Sequence, residues 1–204
     1  MRMARTGRRP GPSSTRAEIV AAAAHRFAIA GYDATSVRQV AADAGVDPAL
    51  VRRFFGGKER LFTDVASALI DPARAVAAVA DGPRETAGER LLRYFLSLLG
   101  DVQRPGPFLG LIRSAVTSEH AANLMRRFLA ERVLGEIAAT LHADRPDLRA
   151  ALVASQLVGL AVARYAVRLA PLTATDHDEL ARWVAPVIQH YLTGDHLTTT
   201  SNPN

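Results

Sequence analysis

The chain has 204 residues, 49% of them hydrophobic and 22% charged, with no cysteine, the make-up of an ordinary globular protein able to bury a core without staples. This composition excludes a disordered chain, a collagen-like fibre and a disulfide scaffold, and zero cysteine removes thiolate nucleophiles, thiolate metal sites and redox motifs. The net charge of +5 is uneven: residues 1–60 hold eleven Arg plus Lys against five Asp plus Glu, and the rest hold fourteen against fifteen, which implies an anionic partner for the first part or a plain bias toward arginine.

Residues 1–12, MRMARTGRRPGP, carry Arg2, Arg5, Arg8 and Arg9 among Gly and Pro without apolar periodicity, which predicts a flexible basic arm. The arm lacks the apolar stretch of a secretory signal, so export is not expected. Thr15 with Glu18 has the form of a capping box, and Ile19, Ala23, Phe27 and Ala30 recur at helical spacing before Gly31, predicting a first helix over about 15–30. Ser36 with Gln39 repeats the box; Val37, Val40, Ala41 and Ala44 then form one short apolar face that ends at Gly45. Asp47 suits an N-cap and Pro48 the first helical position, so a third helix opens at once. Two short helices joined by a tight glycine turn make a helix-turn-helix over 36–55. The third helix closes at Gly56-Gly57, and a fourth opens at Lys58 with Leu61, Phe62, Val65 and Leu69 inward.

Longer, more apolar helices are expected over about 85–100, 107–116, 118–142, 147–169 and 177–192, separated by Pro105-Gly106-Pro107, Thr117-Ser118, Arg145-Pro146-Asp147 and Pro171. No stretch alternates with the period of a strand, so the fold class is all-α with about nine helices. Pro186 should kink the last of them, and 194–204 reads as a flexible tail. The most apolar run, Leu148 to Leu169, is broken by Arg149, Gln156, Arg164 and Arg168, so no membrane span is expected.

In a helix-turn-helix the second helix enters the major groove, making the outward side chains of Asp47 to Phe55 the candidate readers. Pro48, Ala49, Leu50, Arg52, Arg53 and Phe54 lie there. Either arginine can bond a guanine edge or neutralise a phosphate, and one of Leu50 and Val51 packs inward while the other is free for a thymine methyl. The helix starts near Ser36 and Lys58 present unpaired N–H groups suited to phosphates, and Lys58, the sole lysine, adds a full charge. The arm, through Arg5, Arg8 and Arg9, either touches DNA beside the half-site or is merely solvated.

The order GY, TSVRQVA, AGV and LVRRFFGGKERLF, with Phe27, Gly31, Tyr32, Thr35, Val40, Ala41, Gly45, Val46, Phe55, Lys58, Glu59 and Leu61 in register, resembles the DNA-binding domain of the tetracycline-repressor (TetR) family over residues 13–73. The stretches LVASQLVGLAVARYAVRLAPL and LARWVAPVIQHYL resemble an actinobacterial-type effector domain of that family. The resemblance implies a ligand-responsive, homodimeric repressor of the bacterial cytoplasm on a palindromic double-stranded DNA operator. Thr35 or Ser36 and Arg38 would hold phosphates, and Lys58 would clamp one. Two departures stand out. Arg52, Arg53 and Phe54 replace the family's usual aromatic pair and histidine, so the operator cannot be borrowed from relatives. Gly57 replaces the usual Ser or Thr.

Domains are expected at 13–73 for DNA binding and 74–193 for effector binding and dimerisation. Apolar walls for a small-molecule effector are offered by Tyr94, Phe95, Leu99, Phe108, Leu111, Met125, Phe128 and Leu129, or these are plain core. Arg113, Gln156 and Arg164, polar groups within apolar runs, either face that ligand or pair with a carboxylate such as Glu119 or Glu136. Leu157, Leu160, Leu180, Trp183, Val184, Val187, Ile188 and Tyr191 make faces too wide for one neighbour, hence a dimer interface or further core. The six histidines lack metal-ligand spacing, and no phosphate loop, nucleophile elbow or cofactor motif occurs, so neither cofactor, metal nor catalysis is expected. The competing reading is a helical ligand carrier with an incidental basic N-terminus.

Overall fold

The computed structural model describes residues 12–100, 106–141 and 143–194. The basic arm with Arg5, Arg8 and Arg9, the break at Pro105 and the tail beyond 194 lie outside them. Described residues form helices and connecting turns and no strand ladder, with ten helices of seven residues or more, one short α-helix and a single 3-10 turn at Arg84–Thr86. They are α1 (Pro12–Ala30), α2 (Val37–Asp43), α3 (Pro48–Phe55), α4 (Lys58–Ile70), α5 (Pro72–Ala80), α6 (Ala87–Leu99), α7 (Phe108–Thr117), α8 (119–140), α9 (146–166), the single turn α10 (Ala170–Ala174) and α11 (His177–Thr193). Helix α8 passes through a π-helical turn at Ala130–Leu134, and α9 ends in another at Val162–Ala166.

Two expectations are corrected. The first helix does not start at a Thr15–Glu18 box: the chain is already helical at Pro12, a residue whose fixed φ suits a first turn. An unforeseen helix, α5, follows α4. Asp71 caps it by accepting from Arg74 N–H at 3.4 Å, with Pro72 at its first position. That is the Asp-Pro signal already recognised at Asp47-Pro48.

Helices α1 to α4 close around Ile19, Val40, Val51, Phe55, Leu61 and an aromatic cluster. In that cluster Phe27 stacks on Tyr32 at 5.8 Å, and Phe62 meets both rings edge-on at 5.2 Å. In the second half α6 packs along α11, with α5 against α6, α9 against α11, and α8 resting on α5 and α9. Gly88 makes that approach possible, since a Cβ there would lie 2.5 Å from Gln189 backbone N. Its own N–H donates to Gln189 Oε1 at 2.8 Å. The two halves meet where α7 lies on α1 and α8 on α4.

By length and composition alone α9 is long and apolar enough to cross a membrane. In this fold it packs on α8 and α11 and contributes two buried arginines, Arg149 and Arg164, which a lipid setting makes costly. Arg149 is satisfied by the Asp144 carbonyl and carboxylate at 2.8 and 2.7 Å and by Tyr191 O at 3.0 Å.

Candidate nucleic-acid interface and apolar cavity

Capping holds the helix-turn-helix. Ser36 Oγ accepts from Gln39 N–H at 3.3 Å while Ser36 N–H donates to Gln39 Oε1 at 2.8 Å, the reciprocal box expected at the start of α2. Gly45, at φ +64°, turns the chain so that Val46 N–H reaches Ala41 O at 2.9 Å. Asp47 Oδ1 then accepts from Ala49 N–H at 2.7 Å to start α3. Val51 and Phe55 are fully buried, and their spacing of one turn fixes how α3 is rotated. Leu50 stays half-exposed, so Val51 is the member of that pair that packs inward. Ala49, Arg52 and Arg53 are exposed on the outer face, with Pro48 and Phe54 half-buried at its edges.

The arginines of this half divide by partner. Arg16 pairs with Asp64 at 2.8 Å and lies over the Phe55 ring at 5.1 Å. Arg26 clasps Asp43 across α1 and α2, and its hydrogen bonds hold that carboxyl below its ordinary range. Arg38, Arg52 and Arg53 are exposed and form no ion pair with any described residue. A fold that neutralises Arg16 and Arg26 while leaving these three, and Arg60 in the first turn of α4, uncompensated directs positive charge outward from α2, α3 and the start of α4. Burying Tyr32 beside Glu59 and Asp33 pushes its phenol up to about 12.

The structure gives Thr35 and Lys58 structural partners as well. Thr35 is only 2% exposed; its hydroxyl donates to Gly31 O at 2.7 Å and its N–H to Tyr32 O at 3.1 Å. Both donors therefore close the turn before α2, while Ser36 and Arg38 stay at the surface. Lys58 Nζ donates to Tyr32 O at 3.1 Å and stands 4.2 Å over the Tyr32 ring. An ammonium has three donors, so two remain. They stand at the first turn of α4, where Gly57 supplies no side-chain cap.

In the second half a cavity of about 260 Å3 opens among α4 to α9. Tyr94, Phe95, Phe108 and Met125 line it as expected, and Leu157, expected at an interface, lines it too. Leu99 is fully buried core elsewhere, and Phe128 borders a separate cleft with Leu124 and Arg127. None of the three polar candidates reaches the wall. Arg113 is exposed and donates to Ala28 O, and Gln156 is half-buried off the cavity. Arg164 is buried with its guanidinium on Leu172 O and, at 2.7 Å, on Thr175 O. Backbone carbonyls, which no sequence pattern advertises, supply the partners that a ligand or a carboxylate was expected to supply.

Tyr94 links the cavity to the first half. Its hydroxyl donates to Asp71 O at 3.2 Å, and burial beside the Asp71 carboxylate pushes it up to about 12. Asp71 lies in the left-handed region at φ +46° and ends α4 while capping α5. Helix α7 is shared as well: Phe108, Ile112 and Ala115 face the cavity, while Gly110, Arg113 and Ser114 face α1. A Cβ on Gly110 would lie 2.3 Å from Ala28 Cα. At the start of α8, Ser118 Oγ donates to Asp33 at 3.1 Å, and His120 meets Glu59 at 3.1 Å and the Tyr32 ring at 5.4 Å. Sequence reading missed Gly110, Ser114, Ser118 and His120; the small residues four apart in FLGLIRSAV were the available signal.

The expected interface residues separate by exposure. Leu160, Leu180 and Ile188 are buried within the single chain. Trp183 is 76% exposed, Val187 and α9 residues Leu148 and Leu152 are also exposed, and Val184 and Tyr191 are half-buried.

Comparison with known proteins agrees with this architecture. Residues 19–65 match the model of bacterial regulatory proteins of the tetR family, and residues 85–192 match the tetracyclin repressor-like C-terminal domain. A TetR-family regulator from Streptomyces coelicolor is 35% identical over 91% of this chain and 98% of its own, with a TM-score of 0.61. A transcriptional regulator from a Rhodococcus species shares the fold at 22% identity, covering 89% of this chain and all of its own, with a TM-score of 0.64. No curated protein matches the sequence. With both domain models matched in order and a regulator at 35% identity matched over nearly its whole length, the chain belongs to the TetR family of DNA-binding transcriptional regulators.

Proposed function

We propose that the protein is a homodimeric repressor of the bacterial cytoplasm that binds a near-palindromic operator and is controlled by a small molecule held in the apolar cavity. The observation that carries the DNA half is the uncompensated charge of Arg38, Arg52 and Arg53 beside the capped start of α2 and the outer face of α3. Arg52 and Arg53 reach base edges or phosphates in the major groove, Ser36 and Arg38 hold the backbone, and the remaining Lys58 donors take a phosphate. Two such heads on a twofold axis read two half-sites.

The dimer reading rests on Trp183 and Val187 of α11 and Leu148 and Leu152 of α9, large apolar side chains left at the surface on the last two long helices of the second half. Effector control rests on α7, one side of which lines the cavity while the other grips α1. A ligand that shifts α7 biases the separation of the heads, and linkage requires DNA to weaken effector binding by the same factor.

The test is selection of genomic DNA fragments by purified protein at ~150 mM salt, followed by Lys58→Ala and Arg52→Ala on the enriched site. Expected are a palindrome, a uniform loss of affinity from the first substitution and an altered base preference from the second. Enrichment of no sequence over bulk DNA would overturn the reading.

A further inference from the structure

The chemistry of the cavity wall narrows the effector, an inference that rests on the effector half of the proposed function. We infer that the cavity takes an uncharged, largely hydrocarbon molecule of about two fused rings or an equivalent chain, and that the Tyr94–Asp71 contact passes its occupancy to α4. Among the described residues the wall holds no charged side chain, and Tyr94 carries its only hydroxyl. That hydroxyl is engaged by Asp71 O. The wall is otherwise built from apolar side chains on helices, most of whose backbone groups are paired within their own helix. Arg74 stands over the Tyr94 ring at 5.8 Å but is not part of the wall, so an ionised ligand would meet no counter-charge on the wall itself and would bear most of its desolvation cost. Size follows from volume: an apolar cavity of ~150 Å3 holds benzene, and this one offers about 260 Å3. Val116, 75% exposed yet part of the wall, marks the rim.

The same wall contains the transmitting element. The Tyr94 ring faces the ligand space while its hydroxyl reaches the joint between α4 and α5. Asp71 at that joint is a non-glycine residue in the left-handed region, a conformation that persists only while its surroundings enforce it. Displacing the ring releases one such constraint at the C-terminal end of α4, the helix whose first residue is Lys58.

The experiment uses full-length protein, a selected operator duplex and four probes of one shape: naphthalene, naphthalene-1-methanol, 1-naphthoate and 1-naphthylmethylammonium. Calorimetric titration should find the two neutral probes at least ~100-fold tighter than either ion. Ala154→Phe, which fills the cavity, should abolish their binding with unchanged circular dichroism. Tyr94→Phe keeps the ring and should keep neutral-probe binding, yet lose the ligand-driven fall in operator affinity seen by fluorescence anisotropy. Equal binding of the ions, or failure of both neutral probes to bind protein that still binds operator, overturns the ligand class. Intact coupling in Tyr94→Phe overturns the route. Should no duplex bind, the regulator reading fails separately, and the calorimetric comparison still judges the ligand class.

Discussion

Gly110→Ala tests the junction between the halves because two effects of opposite sign compete there. Relieving a glycine inside a helix ordinarily stabilises by ~0.8–1.0 kcal/mol. Here the added Cβ would lie 2.3 Å from Ala28 Cα and 2.6 Å from Ala28 Cβ, whereas carbons pack at about 3.5–4.0 Å. Helix α7 must therefore retreat from α1 by more than about 1 Å, and overpacking of this kind costs ~1–3 kcal/mol. The net expectation is a loss of up to ~2 kcal/mol. For a chain of this length a loss of ~2 kcal/mol lowers Tm by roughly 4–8 °C. Urea unfolding followed by circular dichroism, at one fixed protein concentration because association shifts apparent stability, gives the number. A variant more stable than the parent would refute the close approach of α7 to Ala28.

Asp47→Ala removes the carboxylate that starts α3 and should cost ~0.5–2 kcal/mol by chemical denaturation, with weaker operator binding as α3 frays. Gly57→Ser supplies the missing cap of α4 and should gain a few tenths of a kcal/mol in the same assay. Tyr32 and Tyr94, both pushed up to about 12, hold their protons more tightly folded than unfolded; the stability this gives is complete below about pH 10 and is lost as pH rises through 12. Unfolding midpoints should therefore fall between pH 10 and 12, and the fall should shrink in Tyr94→Phe. Deleting residues 1–9, which carry four arginines, should flatten the salt dependence of operator binding by up to ~4 counterions if the arm contacts phosphate. An unchanged slope leaves the arm solvated.

The helix-turn-helix was legible because its determinants are local. Ser36 with Gln39, Gly45 and Asp47-Pro48 act within four residues, whereas the choice between Leu50 and Val51 as the inward side chain is made only by the burial of Val51 beside Phe55 in the folded chain. The same Asp-Pro signal at Asp71-Pro72 went unread because the alanine-rich α5 that follows offers little apolar contrast. The cavity was half legible. Aromatic and aliphatic positions such as Phe95, Phe108 and Met125 are drawn inside by burial alone, whereas the fate of Arg113 and Arg164 depends on carbonyls brought up by distant or irregular backbone at Ala28, Leu172 and Thr175. On α11 the apolar face is wider than one neighbour can cover. Nothing in the pattern separates Leu180 and Ile188, which turn toward their own chain, from Trp183 and Val187, which turn away.

Close packing determines how the two halves can communicate. At Gly110 there is no room for one methyl group between α7 and Ala28, and well-packed interiors transmit strain rather than absorb it. A ligand that pushes Ile112 or Ala115 from the cavity side therefore moves α1, because the far side of α7 has no slack. Helix α1 is tied to α2 through Arg26 and Asp43, and the Phe27–Tyr32–Phe62 cluster ties it to α4. Motion of α1 thus carries α2, α3 and α4 as a unit. The Tyr94–Asp71 contact enters that unit from its other end, at the close of α4. Under the ligand control proposed above, a ligand acting on both points would tilt the head as a rigid body and change the direction in which Arg52 and Arg53 point, without any change in the folding of α3 itself.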